Sequence, residues 1–132
     1  MKKVSFVVPV YNEESNLKEF HKRMTAVMAA LTYDYEIIFV DDGSSDTSPI
    51  LLQELADQDN HVEAYLLSRN YGHQLALTCG LDHAEGDAVI TMDGDLQHPP
   101  EMVPEMLDNW EKGFQIVQTI RKATEDASFF KR

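Results

Sequence analysis

Two carboxylates two residues apart open the run Asp93-Gly94-Asp95-Leu96-Gln97-His98-Pro99-Pro100-Glu101. The run follows the apolar stretch Ala88-Val89-Ile90-Thr91-Met92, so both acids stand where a buried strand ends. Ionised carboxylates repel, and neither donates a hydrogen bond to the other. A cation shared with a second anion resolves that conflict. Mg2+ takes oxygen ligands, with one or two protein carboxylates, substrate phosphates and water completing its shell. Asp93 and Asp95 are therefore the candidate catalytic and metal-binding acids, with Gln97 as a neutral oxygen beside them. Mg2+ or Mn2+ bridging to a nucleotide diphosphate is the expected cofactor. The plainer reading is a polar loop closing onto a proline-initiated helix. The gathering of two acids, a glutamine and a histidine at one strand end weighs against it. His98, ahead of two prolines, is expected to be a fixed turn residue, because no second histidine has zinc-site spacing to it.

Two other strand ends carry polar clusters. Residues 4–10 form an apolar run that leads into Pro9-Val10-Tyr11-Asn12-Glu13. No glycine occurs in that turn, which excludes a GxGxxG cradle for a pyrophosphate. Tyr11 offers a ring for stacking on a base, and Asn12 and Glu13 offer polar contacts to a base or ribose. The same acids also suit a helix N-terminus. Residues 35–40 lead into Asp41-Asp42-Gly43-Ser44-Ser45-Asp46. An acid there accepts from a base N–H or a ribose hydroxyl, as the acid after the second strand does in dinucleotide folds. Asp41 is the first choice for that contact, with Asp42 behind it, and Asp46 reads as a structural cap. Arg69-Asn70-Tyr71-Gly72-His73 leads into a helix and reads either as a phosphate holder, through Arg69 and the helix amides, or as a surface turn. Arg121 follows the last strand in reach of a diphosphate.

These clusters need elements to position them. Leu17, Phe20, Met24, Val27, Met28 and Leu31 recur at helical spacing, with Asn12 or Ser15 as the expected cap. A second helix is expected over residues 50–56, with Pro49 in its first turn. A strand over 62–67 and a helix over 73–85 ended by Gly86 follow. The strand over 88–92 precedes a helix over 100–112, with Val103, Met106, Leu107 and Trp110 on one face and Gly113 at its end. A fifth strand is expected over 114–120. Five strands alternating with four helices predict an α/β fold: a Rossmann-like, mostly parallel sheet with helices on both faces. With strand one between strands two and four, all three clusters meet at one crevice outside the carboxyl ends.

Composition fits that reading. The chain has 132 residues and a net charge of −12, which argues against broad binding to nucleic acid or anionic lipid. Nothing reads as a signal peptide or a membrane span, and Cys79 is the only cysteine, so a cytoplasmic setting is expected. Cys79 is expected to be a small buried residue, and a homo-oligomer is compatible with the sequence.

Together the stretches VVPVYNEESNL, EIIFVDDGSSDTS, LSRNYGHQLALTCGLDHAEGDAVITMDGDLQHPPEMVPEML and IRKATEDASFFKR resemble family-two glycosyltransferases of the GT-A fold. The DGDLQHPPE run and the SRNYGHQ segment resemble more narrowly the polyprenyl-phosphate branch, the dolichol-phosphate mannosyltransferases and undecaprenyl-phosphate glycosyltransferases. Gly94 stands where an alanine is usual in that branch. The resemblance implies a nucleotide pocket at Pro9, Tyr11 and Glu13 with Asp41 on the base, and Asp93 on the ribose or diphosphate. It further implies Asp95 and Gln97 on the metal and Arg121 beside the donor phosphates. The implied reaction is inverting transfer of a sugar from a UDP- or GDP-sugar to a polyprenyl phosphate. The implied acceptor parts lie beyond this chain. Residues 1–132 are thus expected to be a single nucleotide-sugar-binding domain, truncated at its C-terminus, of a protein working at the cytoplasmic face of a membrane. Three alternatives stand further off. A receiver-type signalling domain would carry its acid pair after strand one. A nucleotidyltransferase would carry a glycine- and lysine-rich first turn. A polysaccharide synthase of the same family would act on a saccharide acceptor, which the DLQHPPE run disfavours.

Overall fold

The computed structural model describes residues 1–113, 116–120 and 126–131, the last two stretches as backbone strands. The elements run β1 (Lys3–Val10), α1 (Leu17–Ala29), β2 (Asp34–Asp41), α2 (Ser48–Gln58), β3 (Val62–Leu66), α3 (His73–His83) and β4 (Ala88–Thr91). A 3-10 turn (Pro100–Met102), α4 (Val103–Glu111), β5 (Ile116–Ile120) and β6 (Asp126–Lys131) follow. The strands form one sheet in the order β3-β2-β1-β4-β6-β5. β1 pairs in parallel with both β2 and β4, and β2 with β3. The expected α/β fold and the central place of strand one are what the structure shows.

Helices cover both faces. Alternate residues of β1, Val4, Phe6, Val8 and Val10, join Leu17, Phe20 and Met24 of α1 and Leu52 of α2 in the larger core. Val103, Met106, Leu107 and Trp110 of α4 complete it, as their helical spacing predicts. Phe20 and Phe39 meet edge-to-face at 6.0 Å. On the other face α3 lays Ala76 over Val7, Ile38, Val40 and Val89. Cys79 is half-buried there rather than fully buried. Burial and the nearby Asp82 push its thiol pKa up, which keeps it unreactive.

Several local expectations need correction. A sixth strand exists: β6 inserts between β4 and β5, antiparallel to both. Its sequence, DASFFK, lacks a sustained period, and its strand state comes from pairing with β4. The expected strand over 114–120 is seen at Ile116–Ile120, and its first two residues lie outside the described residues. Neither Asn12 nor Ser15 caps α1. The N-cap is Asn16, without a side-chain bond, and the Asn16 and Leu17 amides donate instead to the Glu13 carbonyl at 2.9 and 3.2 Å. Asp46 does hold the start of α2, accepting from the Ser48 amide at 2.8 Å, although Thr47 occupies the cap position.

Gly86 does not terminate α3 as a left-handed cap, because α3 ends at His83 with an extended Ala84 after it. Its amide donates to Ser5 Oγ at 2.7 Å, and a Cβ there would lie 2.7 Å from the Ser5 nitrogen. Close backbone approach, not positive φ, requires the glycine. The Ser5 hydroxyl donates to the buried Glu36 carboxylate, which also accepts the Glu85 amide at 2.8 Å. Burial acts to raise the Glu36 pKa. The Ser5 and Glu85 donors, Glu63 and Lys3 outweigh it, and the group stays below its ordinary range. Replacing it, Glu36→Ala, strands the Ser5 hydroxyl and Glu85 amide inside the fold. We expect a loss of about 2–4 kcal/mol in urea unfolding at pH 7. A depressed carboxylate stabilises above its unfolded pKa and loses that contribution as pH falls through the folded one. The gap between wild type and variant should therefore narrow below pH 4.5, the ordinary value for Glu.

Candidate active site

The strand order reverses between β1 and β4, since the chain runs outward through β2 and β3 before returning to β4 on the opposite side of β1. Carboxyl-end loops diverge at such a point and leave a crevice. β4 ends at Thr91 opposite Val7, and the Met92 amide still donates to the Val7 carbonyl at 3.0 Å. The chain then turns outward, which delivers Asp93 and Asp95 to the mouth beside Pro9 and Tyr11. β2 ends opposite Val10, and the Asp42 amide donates to the Val10 carbonyl at 2.8 Å. A solvent-open cleft of about 500 Å³ results. Pro9, Val10, Tyr11 and Glu13 line one side, Asp93, Gly94 and Asp95 another, with Asp42 and His73 closing it.

Six residues singled out in the sequence thus meet: Pro9, Tyr11, Glu13, Asp42, Asp93 and Asp95. Three others do not line the cleft. Asp41 is 1% exposed, and its carboxylate oxygens accept the Ser44 hydroxyl at 2.6 Å and the Ser44 amide at 3.0 Å. The turn consumes Asp41, and its neighbour Asp42 takes the cleft-facing place. Asn12 spends its carboxamide oxygen on the Ser45 amide at 2.8 Å. Gln97 is exposed, and its amide donates to Asp95 Oδ1 at 3.1 Å. Arg121 lies outside the described residues. His98 is buried in its turn, and neither ring nitrogen has a partner among the described residues.

His73 is the lining residue that the sequence reading did not assign. Of the two readings of the Arg69–His73 segment, the structure shows the Arg69 guanidinium stacked 4.7 Å over the exposed Tyr71 ring. Asp42 holds this loop in place. Its carboxylate accepts the Tyr71 amide at 2.8 Å and the Gly72 amide at 3.1 Å. Gly43, at φ 69°, lets the two loops touch, for a Cβ there would sit 2.1 Å from the Arg69 carbonyl carbon. The available signal was positional: His73 opens a helix directly after a strand-end loop.

Electrostatics mark the cleft as cation-seeking. Burial pushes the Glu13 pKa up, the Asn16 side chain partly offsets this, and the charges of Asp95, Asp93 and Asp46 raise it further. Tyr11 is 47% exposed, which leaves its ring open for stacking. Among the described residues no three His, Cys, Asp or Glu side chains converge closely enough to hold an ion alone. Two carboxylates in one cleft suit an ion that draws its remaining oxygens from a diphosphate and water. Among the described residues no helix is long and apolar enough to cross a membrane.

Comparison with known proteins settles the family. The sequence pattern of glycosyl transferase family 2 matches residues 5–132. The chain belongs to that family. This family-2 chain is 45% identical over 131 residues to the undecaprenyl-phosphate 4-deoxy-4-formamido-L-arabinose transferase of Enterobacter sp. strain 638, covering 98% of the chain and 40% of that protein. The protein of the same name from Yersinia pestis strain Pestoides F is 48% identical over 132 residues, again across 40% of its length. The chain therefore spans about 40% of the curated relatives it matches. In structure it is similar to the mannosyltransferase PcManGT of Pyrobaculum calidifontis, solved with GDP-Man and Mn2+. The TM-score is 0.76 at 20% identity, over 99% of this chain and 45% of the other. Glucosyl-3-phosphoglycerate synthase of Mycobacterium tuberculosis, solved with Mn2+ and UDP, aligns at TM-score 0.69 and 24% identity over 92% of this chain and 45% of the other. These likenesses establish the GT-A fold, and nothing in them supports the signalling alternative.

Two substitutions check the geometry. A Cβ on Gly94 would meet Val8, Val10 and Leu17 at 3.6–3.8 Å, ordinary contact. Gly94→Ala should therefore raise stability by about 0.4–1 kcal/mol, through the unfolded chain, in urea denaturation. Glu13→Gln removes a carboxylate whose charged form the fold disfavours. The variant should be more stable than wild type at pH 7 by less than about 1 kcal/mol, since the group is part-exposed and screened. That advantage should fade as pH falls through the raised Glu13 pKa toward 4.5, where wild type also becomes neutral.

Proposed function

We propose that this chain is the donor-binding half of an inverting glycosyltransferase that moves a sugar from a nucleotide-diphospho-sugar to a polyprenyl phosphate. The observation that carries the reading is the meeting of acids from three separate loops, Glu13, Asp42 and the Asp93/Asp95 pair, at the strand-order reversal. Membership of family 2 and the relatives' naming for an undecaprenyl-phosphate substrate support it. The reach of this chain is a single nucleotide-sugar-binding domain, and the acceptor side belongs to the remaining length that its relatives have.

In this reading the donor lies across the strand-order reversal. Asp93 and Asp95, on the β4 side, take the diphosphate end, and Asp42 with Tyr11 takes the nucleoside end. The exposed Tyr11 ring stacks on the base. Glu13, between the two ends, accepts from ribose hydroxyls. Arg121 is assigned to the donor phosphates on sequence order alone. Asp93 and Asp95 hold Mg2+ or Mn2+, with Gln97 beside them, and the ion when bound neutralises the departing diphosphate. The attacking oxygen belongs to a phosphate that is already anionic, so the chain needs no strong general base. Attack on the sugar carbon opposite the leaving diphosphate inverts the configuration there. The residues of the cleft then contribute by orienting the donor. The complete protein works at the cytoplasmic face of a membrane, where the lipid acceptor resides.

Titration calorimetry with UDP, GDP and their sugars tests the donor assignment. Binding of one diphosphate should require Mn2+ or Mg2+ and disappear with chelator. Asp95→Ala should weaken it at least about tenfold, the loss of one charge-assisted ligand. Unchanged affinity in that variant, or indifference to chelation, refutes the metal assignment. With the full-length protein, transfer to a saccharide and not to polyprenyl phosphate would refute the acceptor.

A further inference from the structure

Asn12 carries an unusual backbone and an unusual set of bonds. Its φ is 53°, one of two positive values at non-glycine residues among those described. Side chains with a β-carbon resist that region, and asparagine tolerates it better than most. Its amide donates to Ser44 Oγ at 2.8 Å, and that hydroxyl donates on to Asp41 at 2.6 Å. Its Oδ1 accepts the Ser45 amide at 2.8 Å and lies 3.4 Å from the Asp46 amide. The next two residues repeat the pattern. The Glu13 amide donates to Ser48 Oγ at 2.9 Å, and the Glu14 amide to Asp46 Oδ2 at 3.2 Å. Glu14 in return accepts the Thr47 amide at 2.8 Å and hydroxyl at 2.6 Å. Three consecutive residues of the loop after β1 are thus tied to five consecutive residues of the turn after β2.

We infer that Asn12 is a positioning residue for donor binding, a latch that fixes the loop after β1 against the turn after β2. The latch sits between the two cleft-lining side chains of its own loop, Tyr11 and Glu13. The left-handed turn at Asn12 reverses the backbone between them, and the carboxamide holds that reversal by seizing the facing turn. The same turn carries Asp42, so one bond set fixes two walls of the cleft relative to each other. Contact between the Asn12 side chain and the nucleotide is not required. The inference rests on the donor-site reading above and adds a role for a side chain outside the cleft.

Two variants separate positioning from mere scaffolding. Asn12→Gly accepts the backbone conformation freely and loses the carboxamide. Asn12→Asp keeps the acceptor oxygen. For Asn12→Gly we expect the Tm to stay within roughly 5 °C of wild type. Amide exchange at Ser45 should quicken, and the Kd for the bound nucleoside diphosphate in Mn2+ should weaken about tenfold. Asn12→Asp should recover most of that affinity and the Ser45 protection. Wild-type affinity in Asn12→Gly overturns the inference. Equal loss in both variants overturns it too, because the carboxamide would then be a ligand contact. If wild type binds neither UDP nor GDP, the donor-site reading fails by itself. The latch is then judged by Ser45 exchange, and unchanged protection in Asn12→Gly rejects it.

Discussion

Carboxylates that repel one another must be kept together at the carboxyl ends of β1, β2 and β4, and much of the upper rim is built to that end. Glu13, Asp42, Asp93 and Asp95 converge on one cleft, and the Glu13 pKa is raised first by burial and then by the charges of Asp95, Asp93 and Asp46. Unaided, loops bearing such charges would splay. They are restrained by bonds in which carboxylates accept backbone amides: Asp41 from Ser44, Asp42 from Tyr71 and Gly72, Asp46 from Ser48 and Glu14. Each such bond ties one loop down or binds it to another. The acidic loops thus hold carboxylates that fix the rim, carboxylates that line the cleft and, in Asp42, one that does both. Burial acts to raise the Asp46 pKa, and its amide and hydroxyl donors hold it low, as a structural acid should be.

That division explains what the sequence revealed and what it concealed. The elements were legible because their periods are strong. Leu17, Phe20, Met24 and Met28 mark one helix face, and the unbroken apolar run of β1 marks a strand buried on both sides. The convergence of three strand ends was legible from alternation alone, given the reversal of strand order. Which member of an acidic pair faces the cleft was not. Asp41 and Asp42 differ by one step along the chain, hence by opposite sides of a strand end, and the register that decides between them is set by β1 and β3. The partners of Asn12 were hidden for a related reason. A side chain beside Tyr11 and Glu13 reads as a ligand contact until the facing turn, more than thirty residues away, supplies its partners. β6 was concealed because its pairing with β4, not its composition, makes it a strand.

Strain is concentrated where positioning matters. The two non-glycine residues with positive φ among those described, Asn12 and Leu96, lie in the loop after β1 and in the loop of the acid pair. Residues held this way persist only when their surroundings over-determine them. For Asn12 the surroundings are the bonds to Ser44 and Ser45. For Leu96 they are packing against the larger core and the following Pro99-Pro100 stretch, whose 3-10 turn is pinned to α1 by the Arg23–Glu101 ion pair. The first loop is therefore anchored on the turn after β2 and the second on the larger core and α1.

The two faces of the sheet serve different ends. The large core under α1, α2 and α4 contains the apolar residues of β1, β2 and β4 and fixes the strands whose ends build the site. The opposite face is covered by α3 over a much smaller core. That helix starts at the cleft with His73, and its entry loop is clamped by Asp42 and by the close approach at Gly43. A thin layer suffices there because the polar clamp supplies the positioning that a deep core supplies elsewhere. The cleft is then framed by an apolar slab on one side and by hydrogen-bonded loops on the other, an arrangement that holds its acids in place. Preorganisation of that kind lowers the ordering cost of binding a flexible, highly charged donor.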